Sequence, residues 1–183
     1  MSFIKHQVIL TPEECDTIAK IVLSLEDDIK QRYPDEYTGT PDDSLTGRYK
    51  FFNFLNNEKI GSILRPKLKE LFGPCIIQCW ANIFRNNEGI ETHCHHHPNV
   101  PDLVRSANIF VHGDPNIGTY YGGVKHVNKL GEISIFSPDI WHRVPKNPTN
   151  TERITIAMDI YLENGKIIKE QILKEPNRFV FIK

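Results

Sequence analysis

From residue 75 to residue 162 the chain is a succession of short aromatic and β-branched runs separated by turn residues. The runs cover residues 76–85, 90–97, 108–112, 119–121, 132–136 and 154–162. Short strands at this density predict an all-β sandwich or barrel, because no single one could bury its apolar face alone. Asn164-Gly165 is a hairpin signal and predicts that 154–162 turns back into a strand over 166–173.

Upstream the texture differs. Residues 3–10 read as a strand. Thr11-Pro12-Glu13-Glu14 then supplies a helix start, with Thr11 as N-cap, Pro12 in the first turn and Glu14 closing a capping box. Cys15, Ile18, Ala19, Val22, Leu25 and Ile29 follow at helical spacing, which predicts one buried stripe ending near Tyr33-Pro34. Residues 34–47 are rich in Pro, Asp, Thr and Gly and read as an exposed loop. A strand is expected over 49–55. A second helix is expected over 57–72, kinked or split by Pro66 and stopped by Gly73-Pro74.

The 183 residues suit one domain, divided into helical support (1–74), β core (75–162) and a C-terminal hairpin strand or extension (163–183). A net charge of −1 gives no electrostatic case for a nucleic-acid or anionic-membrane partner. There is no apolar run of membrane-spanning length and no signal-peptide layout, so a cytoplasmic protein is expected. Four cysteines are too few for a disulfide scaffold; Cys75 and Cys79 are expected as buried thiols rather than zinc ligands.

The densest chemical signal is "ETHCHHHP", with His93, His95, His96 and His97 around Cys94. On an extended strand His93, His95 and His97 share a face, and two imidazoles at i and i+2 can grip one metal ion. A further ligand must come from elsewhere. His142, after the run Glu132 to Phe136, is the natural candidate. Eleven residues on, Arg153 opens a strand with Thr155 on the same face. An arginine on an apolar strand is costly unless it meets an anion, and its planar fork suits a carboxylate.

Together these residues resemble the Fe(II)- and 2-oxoglutarate-dependent oxygenases, and most nearly the small members common in phages and marine bacteria. The resemblance rests on Trp80, Phe84, His93-Cys94-His95, the run Ala107 to Val111, Gly131 to Pro138, His142 and Glu152-Arg153-Ile154-Thr155. It implies a mainly β fold, a double-stranded β-helix (a jelly-roll or cupin-like barrel) flanked by two or three α-helices. It implies Fe(II) on His93, His95 and His142, and 2-oxoglutarate with its far carboxylate on Arg153 and Thr155. The implied activity is dioxygen-dependent hydroxylation of a small-molecule or peptide substrate, with succinate and CO2 as co-products. Phe84 and Ile90, nine and three residues upstream, favour His93 with His95; Gly89, six before His95, favours His95 with His97. The sequence departs from the superfamily's H-x-D, because the usual acid is a histidine. Three neutral imidazoles leave the iron more positive. Asp102 and Asp114 are minor candidates for a carboxylate supplied from a loop.

Two other classes fit part of the pattern. A cupin-type metal protein would use the Gly89, His95, His97 spacing with His142, and Asp102 could stand where cupins place an acid. It has no general need for Arg153 with Thr155. A ligand-binding sandwich with structural zinc would need closed coordination. Candidate substrate contacts are the loop from His96 to Ser106, with Asn99, Asp102 and Arg105, and the loop 34–47. Tyr120, Tyr121 and Trp141 fit core packing better than a pocket lining.

Overall fold

The computed structural model describes residues 3–33, 45–46, 52–96, 100 and 102–183, without the side chains of Lys166, Ile167 and Lys169. In chain order the elements are β1 (Ile4–Val8), α1 (Pro12–Arg32), α2 (Glu58–Phe72), β2 (Cys75–Phe84), β3 (Ile90–His93), β4 (Leu103–His112), β5 (Thr119–Tyr121), β6 (Val124–His126), β7 (Glu132–Phe136), β8 (His142–Val144), β9 (Arg153–Leu162), α3 (Lys166–Lys174) and β10 (Val180–Ile182). They form two antiparallel sheets, one ordered β1-β7-β4-β9-β2-β10 and the other β3-β8-β5-β6. From β2 to β9 the chain crosses repeatedly between them: β2, β4, β7 and β9 lie in the larger sheet, and β3, β5, β6 and β8 in the smaller.

Strand alternation gives the larger sheet two unlike faces. Ile77, Cys79, Ala81 and Ile83 of β2, Ile109 and Val111 of β4, Ile133 and Ile135 of β7, and Ile154, Ile156, Met158 and Ile160 of β9 share one apolar cluster with the helices. Ile18, Val22 and Ile29 enter it from α1, and Ile60, Leu64 and Leu68 from α2. The intervening residues, among them Asn82, Asn108, Arg153 and Thr155, line a pocket together with His93, His142 and Val144 of the smaller sheet.

The expected capping box starts α1: Thr11 Oγ1 accepts from Glu14 N at 3.3 Å, and Glu14 Oε2 accepts from Thr11 N at 2.9 Å. α2 begins at Asn57, whose Oδ1 accepts from Ile60 N at 3.1 Å, and it runs through Pro66 as one helix of 15 residues. A strand over 49–55 is not what forms. Residues 49–51 lie outside the described residues, and Phe54–Asn56 is a single 3-10 turn. Asn53 explains it, because its Oδ1 accepts from Leu55 N at 3.0 Å, the local side-chain bond that favours turns over strands.

The hairpin after Asn164-Gly165 is also corrected. Residues 166–174 form α3, with Ile168 and Ile172, one helical turn apart, against Tyr161 and Phe179. The strand comes later, as β10, and pairs with β2 rather than β9. The two short strands β6 and β8 were not expected, and β3 ends at His93 rather than His97. Cys75 and Cys79 are buried free thiols, with burial pushing Cys75 up to about 11.

β1 joins the larger sheet by pairing with β7, and a histidine stack ties it to β6 of the smaller sheet. The His6 and His126 rings lie 3.6 Å apart and within 6° of parallel. His126 Nε2 is 2.6 Å from Glu132 Oε2, and His6 Nδ1 is 2.9 Å from Ser134 Oγ. The donor atoms of His6, His126 and Glu132 lie within 4.8 Å of one another. Parallel rings nevertheless aim their nitrogens along parallel planes rather than at one point, so the group serves as a seam and not as a metal cage. Gly131, at φ +74°, completes the join: its carbonyl accepts from Ile9 N and Leu10 N, and a Cβ there would lie 2.3 Å from Leu10 O.

Glu26 of α1, 5% exposed, ties the helix to the end of β2. Its two oxygens accept from Arg85 Nη1 and Nη2 at 2.9 and 2.6 Å, and Lys30 Nζ lies 2.8 Å from Oε1. Burial pushes this carboxyl up, but the bonds and charges of Arg85 and Lys30 outweigh it and hold it below its ordinary 4.5. A depressed folded value contributes stability above the unfolded pKa and loses it as pH falls through the folded one. Glu26→Gln should therefore cost about 1–2 kcal/mol at pH 7. In urea titrations the gap from the unmodified protein should close as pH is taken below 4.5.

Candidate metal and anion site

β3 and β8 place His93 directly opposite His142. His95 lies just past β3, where the backbone N–H groups of His95 and His96 both donate to the Pro138 carbonyl at 2.9 Å. The His95 ring is wedged between Trp80, centroids 5.8 Å apart, and Phe136, at 6.1 Å. Ring centroids are 4.2 Å apart for His93–His142, 5.0 Å for His95–His142 and 5.4 Å for His93–His95. Each histidine offers a nitrogen within 4.8 Å of the others.

The outer bonds of these rings fix their tautomers. His93 Nδ1 lies 2.8 Å from the Glu91 carbonyl, His142 Nδ1 3.0 Å from the Ile140 carbonyl, and His95 Nδ1 2.6 Å from Asp159 Oδ1. A carbonyl or carboxylate oxygen can only accept, so each Nδ1 carries the proton and each Nε2 keeps its lone pair. Neutral imidazoles with tethered Nδ1–H groups are the form in which histidine binds metal. Burial, with the charges of His93 and His95 behind it, pushes His142 down to about 3. Burial likewise lowers His93. Burial also acts to lower His95, but the charge and hydrogen bond of Asp159 outweigh it, and the net shift is upward.

Arg153 lines the same pocket from the larger sheet and is 1% exposed. Its Nη2 donates to Thr119 Oγ1 at 3.1 Å, while Nε and Nη1 have no hydrogen-bond partner among the described residues. Burial lowers its pKa to about 10, which still leaves it charged at neutral pH. Thr155, 2% exposed, accepts from Asn82 Nδ2 at 3.2 Å, and Thr46 Oγ1 donates to Asn82 Oδ1 at 2.5 Å. Tyr121 is buried, and its hydroxyl accepts from Asn108 Nδ2 at 2.8 Å. Burial pushes this phenol up, opposed by the hydrogen bonds of Ser134, Asn108 and Thr119 and by the charge of Arg153. A cation with open donors thus faces three imidazoles across one cleft, which suits a metal ion and a small anion held together.

The other candidates lie elsewhere. Asp102 Oδ2 accepts from Ile168 N at 3.1 Å and so caps α3. Asp114 closes its own turn, accepting from Asn116 N at 2.8 Å. Neither carboxylate joins the histidines. His97 and Asn99 lie outside the described residues, as does most of the loop 34–47, although Thr46 lines the pocket. Arg105 donates to the Val104 carbonyl and sits over the Phe3 ring. Tyr120 lies under the Arg143 guanidinium at 4.2 Å, and Trp141 is 59% exposed.

Sequence reasoning missed Asn82, Asn108, Thr119 and Asp159. Asp159 could have been found by the argument that found Arg153, since it is an acid on the same apolar strand and, six residues on, on the same face. Asn82 gives a weaker signal of the same kind within β2.

No family model matches the chain, and no curated protein matches it. Solved structures do. A Pseudomonas putida prolyl-4-hydroxylase matches at TM-score 0.65 and 14% identity, over 88% of this chain and 93% of that one. A Trichoplax adhaerens prolyl hydroxylase, in complex with a peptide of the hypoxia-inducible-factor oxygen degradation domain, matches at 0.64 and 12%, over 94% and 86%. HygX from Streptomyces hygroscopicus, with nickel, 2-oxoglutarate and hygromycin B bound, matches at 0.61 and 6%, over 89% and 83%. At such identities the likeness is one of fold.

A buried guanidinium with open donors destabilises the protein that carries it. Arg153→Met fills similar volume without the charge and should stabilise the metal-free, ligand-free protein by about 1–4 kcal/mol. Thermal unfolding reads this as a raised midpoint; a lowered one would mean that the charge is already compensated in the folded chain.

Proposed function

We propose that this protein is an Fe(II)- and 2-oxoglutarate-dependent dioxygenase that hydroxylates a small-molecule or peptide substrate. The observation that carries the reading is the pairing, in one pocket, of three Nδ1-tethered histidines with a fully buried arginine whose Nε and Nη1 are open. Fold likeness supports it, since neighbouring structures include prolyl hydroxylases and one that holds nickel with 2-oxoglutarate. The strand path, β2-β9-β4-β7 in one sheet and β3-β8-β5-β6 in the other, supports the double-stranded β-helix that the resemblance implies.

In this reading His93, His95 and His142 hold the iron through their Nε2 atoms. Arg153 receives the far carboxylate of 2-oxoglutarate through Nε and Nη1, with the Thr155 hydroxyl beside it. Iron and cosubstrate together supply the oxidising chemistry, which couples decarboxylation to succinate and CO2 with hydroxylation of the substrate. The chain's own part is orientation and exclusion of water. The Nδ1 partners stop the imidazoles from turning, and Phe136, Ile90 and Val144 dry the pocket wall.

Anaerobic addition of Fe(II) and 2-oxoglutarate to the metal-free protein should raise a weak visible charge-transfer band. Arg153→Ala should weaken 2-oxoglutarate binding by about 30-fold or more, the cost of removing one partner of a buried charge pair. His142→Ala should abolish the band. A band unchanged in both variants removes the assignment.

A further inference from the structure

The site carries three imidazoles where the oxygenases it resembles carry two and a carboxylate. We propose that Asp159 is that carboxylate moved one shell outward: a positioning residue that, through His95, gives the metal the negative charge a directly bound acid would supply. The inference rests on the metal reading above.

The three histidines are not equivalent. His93 and His142 present Nδ1 to neutral carbonyls at 2.8 and 3.0 Å, whereas His95 presents it to an anion at 2.6 Å. Donating to a carboxylate pushes electron density toward Nε2 and makes that ring the stronger metal ligand. Asp159 is itself held in place. Ser106 Oγ donates to the same oxygen at 2.6 Å, from the residue directly opposite in the β4–β9 register. Asp159 is 9% exposed and, among the described residues, pairs with no lysine or arginine; its charge faces the His95 Nδ1–H. Its strand already places Arg153 and Thr155 on the same face. The histidine that receives this charge is the second of H-x-H, the position of the acid in H-x-D. The Trp80 and Phe136 rings hold the imidazole, so the bond turns its Nε2 toward His93 and His142.

The test is Co(II) binding to the metal-free protein, measured anaerobically by calorimetry and by the visible spectrum of the bound ion. Asp159→Asn keeps the acceptor and the shape but removes the charge. It should weaken Co(II) binding about 10–100-fold, while the unfolding midpoint of the metal-free protein changes little. In a His95→Asp background the acid binds directly, so adding Asp159→Asn should change affinity about threefold at most. Equal affinity in Asp159→Asn and the unmodified protein, or the same loss in both backgrounds, overturns the role of Asp159 alone. An unmodified protein that takes up no Co(II) overturns the metal site as well. Should Asp159→Asn fail to fold, NMR of the unmodified Zn(II) form decides instead. The His95 Nδ1 proton should resonate furthest downfield of the three, and a position level with His93 and His142 overturns the proposal.

Discussion

Strand alternation in the larger sheet is the constraint on which everything else rests. One set of residues on β2, β4, β7 and β9 packs with α1 and α2 into a continuous apolar layer, and that layer stabilises the sheet. The opposite set is thereby free to be polar. A one-residue slip of β9 would send Arg153, Thr155 and Asp159 into the helix-facing core and turn Ile154, Ile156 and Met158 outward. The register that holds the fold together is thus the register that builds the pocket.

The second face is where stability gives way to chemistry. A buried arginine with open donors, a buried aspartate bonded to an imidazole and a histidine pushed down to about 3 are each unfavourable in isolation. They persist because the apolar layer behind them over-determines the backbone. The smaller sheet needs less of its own core, since Phe84, Ile117 and Val144 make only a modest cluster. Its main contribution is the facing pair His93 and His142.

Much of this was legible in the sequence, for identifiable reasons. Thr11, Pro12 and Glu14 make a local motif whose hydrogen bonds depend on nothing distant, and α1 starts where they say. His93, His95, His142 and Arg153 stood out because their chemistry is out of place on apolar strands. Where the reading failed, a longer-range contact or a competing local bond decided. The sequence around 166–174 carried a turn signal before it, but Ile168 and Ile172 find a helical groove against Tyr161 and Phe179 that the turn cannot announce. The 3-10 turn at Phe54–Asn56 follows from the Asn53 side chain, while β6 and β8, at three residues each, are too short to leave a periodic trace. Asp159 went unread although the rule that picked out Arg153 applied to it equally.

Asp102, which sequence spacing offered as a ligand, instead fastens the start of α3. Upstream, the Pro138 carbonyl pins the backbone at His95 and His96. Two described points past β3 are thus fixed, His95–His96 to the turn that precedes His142 and Asp102 to the C-terminal helix. A change in how α3 sits would be felt at Asp102 without altering His93, His95, His142 or Arg153, so the C-terminal helix can vary while the polar face of the cleft stays the same.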